Sequence, residues 1–96
     1  MRPVVYKYAL APAAPTTIDH LMPHGAVVLS VGIDPHGALC LWALVDIQSP
    51  HPKMPRRFLT VGTGQATPLL EDVAHKQFVG TVLQGSFVWH IFEVRI

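Results

Sequence analysis

Cysteine is almost missing: the 96-residue chain has one, Cys40. A single thiol closes no disulfide within the chain, so the fold holds by its own core or with partner chains. Cys40 lies in an apolar run, where the residue type behaves as a small buried hydrophobe. Charge is scarce too, at 14% of residues with a net charge of +1. With half the residues hydrophobic, this excludes a disordered chain. It also gives no strong signal for nucleic acid and none for an anionic membrane. No apolar run approaches the roughly 20 residues of a membrane-spanning helix. Residues 1–8 lack the apolar stretch of a signal peptide, so a reducing cytoplasm is the expected location. The length allows one domain, residues 1–96.

Windows long enough for a helix are also few, because nine prolines and seven glycines interrupt the chain. The pieces between them are rich in Val, Ile, Phe, Trp and Thr, which suit a pleated surface. The pattern predicts strands at about Val4–Leu10, Thr16–Leu21, Ala26–Ile33, Ala38–Ile47, Arg57–Thr63, Phe78–Gln84 and Ser86–Val94. Ala11–Pro15 reads as a stiff extended connector and Gln48–Pro55, with three prolines, as a surface loop. Turns fall at Met22-Pro23-His24-Gly25, Asp34-Pro35-His36-Gly37 and Gly85. The one helical signal begins at Thr67, an N-cap followed by Pro68 at the first helical position, with Glu71 and Asp72 near its start. Short strands with frequent turns predict an all-β fold, or a β-rich one with one short helix. The architecture would be a small antiparallel sandwich or barrel of about six strands.

Leu39–Val45 and Phe87–Phe92 are apolar on both faces, whereas a half-buried strand alternates. One core covers one face of each sheet. The second face is covered within the chain, in part by the short helix, or by another subunit. Large apolar patches usually mark interfaces, so a homo-oligomer is expected. Trp89 then belongs either to the core or to that interface.

Six histidines, His20, His24, His36, His51, His75 and His90, invite a metal. His20 and His24 have zinc-ligand spacing, but Pro23 and Gly25 break the helix that would align them, so no metal is expected. No nucleophile elbow, Cys–His pair or paired-acid motif is present, and neither enzyme activity nor a cofactor is expected. Gly62-Thr63-Gly64 after a strand presents amides and a hydroxyl to an anion, or is a structural turn or bulge. Arg56 and Arg57, the only adjacent basic pair, suit phosphate or carboxylate, or form a solvated loop end. Trp42 offers a ring to stack on a base, or packs in a core or interface. Arg56, Arg57, Gly62, Thr63, Gly64 and Trp42 are the candidate ligand-binding residues, for a small anionic, nucleotide-like molecule.

The ordered set Tyr6-Lys7-Tyr8, Met22–Val31, Leu41–Asp46, Arg57-Phe58, Gly62-Thr63-Gly64, Gly80-Thr81 and Phe87–Glu93 resembles a family of short, functionally uncharacterised proteins encoded by phages and prophages. The resemblance spans nearly the whole chain. Gln65 stands where such proteins often carry His after Gly-Thr-Gly, and the resemblance brings no site residues with it. It implies an accessory factor in the host cytoplasm. The first expectation is an anti-defence sponge that sequesters a nucleotide-type host immune signal. The alternatives are a protein–protein module that inhibits a host protein, or a minor virion component.

Overall fold

The computed structural model describes residues 2–48, 52–72 and 77–96. Seven strands follow in chain order: β1 (Pro3–Ala9), β2 (Thr16–Pro23), β3 (Val27–Ile33), β4 (Leu39–Asp46), β5 (Lys53–Gly62), β6 (Phe78–Gln84) and β7 (Phe87–Val94). They form two antiparallel sheets, one of order β1-β4-β3 and one of order β2-β5-β7-β6. The all-β class is as expected, with seven strands in an open sandwich and no closed barrel.

Alternation along each strand decides the faces. Leu39, Leu41, Ala43 and Val45 of β4 point inward and meet Met22, Phe58, Val82, Trp89 and Ile91 of the other sheet in one core. Trp89, 6% exposed, is thus a core residue. Its indole Nε1–H donates to Gln84 Oε1 at 2.9 Å, and its ring stacks on Phe87 with centroids 5.0 Å apart. The four-stranded sheet has a second, outer cluster of Leu59, Val61 and Val94, packed by Phe92 and by Leu69 of the 3-10 turn Pro68–Asp72. That turn is the expected helical segment in tighter form. Thr67 Oγ1 accepts the Leu69 N–H at 3.2 Å, as an N-cap does. The expected continuation past Asp72 falls on residues 73–76, outside the described ones.

Two local readings change. Residues 12–15 form bends, with a cis Ala14–Pro15 bond, and not an extended connector. The expected loop Gln48–Pro55 gives way to strand at Lys53, four residues before Arg57; its residues 49–51 lie outside the described set. Pro55 fits inside β5 for a physical reason. The His24 N–H donates to Pro52 C=O, so every second residue from Pro52 bonds towards β2, and Pro55 turns its nitrogen the other way. On that side β7 pairs only from Arg57 onward, so the missing N–H leaves no ladder bond unmade.

The β3–β4 turn is fixed by Asp34. Its Oδ1 accepts the N–H groups of His36 and Ala38 at 2.8 and 2.9 Å, while Gly37 takes the left-handed conformation the turn requires (φ 83°). β3 and β6, in different sheets, lie against each other without a ladder. A Cβ on Gly80 would stand 2.6 Å from Val31 Cγ2, so glycine there permits the approach.

Candidate functional site

Adjacent residues of a strand face opposite ways, so Arg56 and Arg57 do not form one cationic surface. Arg56 lies on the inner face of its sheet. Its Nε and Nη2 donate to the two carboxylate oxygens of Glu93, each at 2.7 Å, and Nη1 donates to the Ala26 carbonyl. The bidentate contact with Glu93 raises the Arg56 pKa further. Arg57 points outward and forks onto its cross-strand neighbour Asp19, at 2.7 and 2.9 Å. The same contact holds the Asp19 carboxyl below its ordinary value. Each guanidinium is already matched by a carboxylate.

Gly62-Thr63-Gly64 stands at the far end of β5, about 17 Å from Arg57 along the strand at 3.3–3.4 Å per residue. Here the chain turns: Gln65 N–H donates to Gly62 C=O and Gly64 adopts φ 76°. Gly62 N–H donates to Gln65 Oε1 at 3.0 Å, and Gln65 Nε2 donates to the Ala14 carbonyl at 2.8 Å. Gln65 is therefore a clamp on the turn. Thr63 Oγ1 lies 2.6 Å from His90 Nε2, and Thr81 Oγ1 lies 3.0 Å from His90 Nδ1. Each hydroxyl, both donor and acceptor, meets one ring nitrogen. This Thr63–His90–Thr81 chain escaped sequence reading because it depends on the register that sets Thr81 opposite His90.

Trp42 lies on a third surface, the outer face of the three-stranded sheet. Its ring covers Gly32, with Cζ3 3.0 Å from where a Cβ would be. Cys40, on the same face, is 1% exposed. Burial pushes its thiol pKa up, and the nearby Asp34 charge adds to this. Lys7 Nζ donates to Asp34 Oδ2 at 2.8 Å beside it. That bond, with the Ala38 and His36 amides, holds the Asp34 carboxyl at about 2, against an ordinary 3.8. The structure therefore brings Gly62, Thr63 and Gly64 together, and separates them from Arg56, Arg57 and Trp42.

The rest of the Trp42 face is apolar and open. Val5 and Val27, across from Leu44 on either side, are 55% and 54% exposed. Where β3 begins, Pro3, Gly25, Val27, Leu44, Val45 and Asp46 line a cleft of about 200 Å³. No cation lines it. Small-molecule sites typically span about 300–1,000 Å³, so this cleft is the size for one large side chain. Among the described residues, no group of three or more His, Cys, Asp or Glu is placed to hold a metal ion. None of their helices is long and apolar enough to cross a membrane.

No curated protein and no solved structure shows significant similarity to the chain. A family model does match, across residues 1–96, and the chain therefore belongs to the family described as Domain of unknown function (DUF7352).

Proposed function

We propose that this protein is a small non-enzymatic binding module that captures a protein partner on the outer face of its three-stranded sheet. One observation carries the reading: the cleft beside Val27 and Leu44 is mostly apolar and open, and the exposed Val5 lies across from Leu44 at its side. A partner side chain filling that cleft is the kind of central anchor that dominates protein interfaces. With the resemblance to phage-encoded proteins, such a module would act as an inhibitor of a host protein. Sequestration of an anionic nucleotide has weaker support. Its two arginines are each paired within the chain, and its aromatic ring lies on another sheet.

The test compares affinity capture from host lysate by the wild-type chain and by Val27→Lys, with circular dichroism to verify folding. A stoichiometric partner held by the wild type and lost by the variant supports the proposal. A partner held equally by both overturns it. So does a wild-type chain that recovers no protein yet gives binding heat with cyclic nucleotides in calorimetry.

A further inference from the structure

The free edge of β1 has a hydrogen-bonding pattern that matches itself under a two-fold rotation. Arg2 C=O accepts from Ile47 N–H and Leu10 N–H donates to Leu39 C=O, so the even residues of β1 bond to β4. The odd residues, Pro3, Val5, Lys7 and Ala9, therefore aim their backbone groups away from the sheet. Val5 and Lys7 present both N–H and C=O there, and make no backbone hydrogen bond to another strand among the described residues. The two end positions differ. Pro3 has no N–H, and the Ala9 C=O is taken by His20 Nε2 at 2.6 Å.

We propose that two copies of this chain pair β1 against β1, antiparallel and centred on Tyr6, to make one six-stranded sheet. In that register Val5 faces Lys7 of the second copy, and the two residues exchange N–H···O=C bonds; the two-fold repeats the pair. Pro3 faces Ala9 of the second copy. The proline lacks only the donor that the Ala9 carbonyl, already bonded to His20, does not need, while its own carbonyl meets the Ala9 N–H. The side chains agree with the same register. Val4 stands across from Tyr8, Tyr6 across from Tyr6, and Val5 across from Lys7, so no like charges are opposed. Centring on Lys7 would set two ammonium groups face to face. Such an edge pairing buries less than the roughly 1,200 Å² of a stable interface, which makes the dimer weak and concentration-dependent. This edge adjoins the apolar cleft, which Pro3 also lines, but the pairing uses the backbone of β1 and the cleft uses side chains, so neither proposal needs the other.

Val5→Pro tests it, because that nitrogen faces the free edge and none of the bonds to β4 is lost. Sedimentation equilibrium up to about 0.5 mM protein should show a wild-type monomer–dimer equilibrium. Val5→Pro should dimerise roughly tenfold more weakly or worse, since it removes one ladder donor per copy. Tyr6→Lys sets like charges across the axis through an exposed side chain, should also be monomeric, and decides the matter if the proline variant fails to fold. A wild-type chain that stays monomeric throughout, or a Tyr6→Lys variant that dimerises as well as the wild type, overturns the proposal.

Discussion

Thr60 is 1% exposed, and its buried hydroxyl has no hydrogen-bond partner among the described residues. An unsatisfied buried hydroxyl costs about 1–3 kcal/mol, and valine has nearly the same shape. Thr60→Val should therefore stabilise the protein by about 1 kcal/mol in urea unfolding. Trp89 behaves in the opposite sense. It fills the core between the sheets, and Trp89→Ala should cost about 3–5 kcal/mol while leaving any self-association of the folded chain unchanged. The two arginines separate by environment. Arg56 and Glu93 are both mostly buried, and Arg56→Ala also strips a donor from Ala26; a loss of roughly 2 kcal/mol or more is expected. Arg57→Ala breaks a solvent-screened pair and should leave the melting temperature nearly unchanged. Asp34 sets a pH dependence. Its folded pKa of about 2 lies below the ordinary 3.8. The stability it contributes is complete above that ordinary value and is lost as pH falls through about 2. Asp34→Asn should flatten the acid limb of a stability–pH curve in that window.

Strand positions were legible because proline and glycine punctuate them and β-branched residues fill them. Six of the seven strands fall within about a residue or two of their expected bounds, since their turns carry Gly25, Gly37 or Gly85 or their chemistry is equally local. The start of β5 was not legible: Pro50, Pro52 and Pro55 read as loop, and only the pairing pattern shows that Pro55 turns its nitrogen to an unpaired side. The same limit applies to the candidate site. Arg56 and Arg57 are neighbours in sequence, but their partners Glu93 and Asp19 lie 37 and 38 residues away, and only the fold reveals them. Gly80 shows packing at this scale. Gly80→Ala would push a Cβ against Val31 and should cost about 1–3 kcal/mol as an overpacked contact. Adding Val31→Ala should recover part of that loss, a non-additivity measurable in a double-mutant cycle.

At the scale of the whole molecule, one surplus of apolar surface resolves in two ways. The doubly apolar β7 is answered within the chain: Trp89 and Ile91 face the core, while Phe92 and Val94 pack with Leu59, Val61 and Leu69 on the outside. The doubly apolar β4 is answered only in part. Cys40 is buried and Trp42 folds over Gly32, but Leu44 and Val27 open onto the cleft, with the exposed Val5 beside Leu44. We propose that this face is free surface that takes a partner. The most direct measurement is the unfolding free energy of Val27→Lys against wild type. A difference under about 1 kcal/mol, the range of surface substitutions, is what the account predicts. A loss of several kcal/mol, the scale of a buried side chain, would contradict it by showing that the folded chain already covers this face.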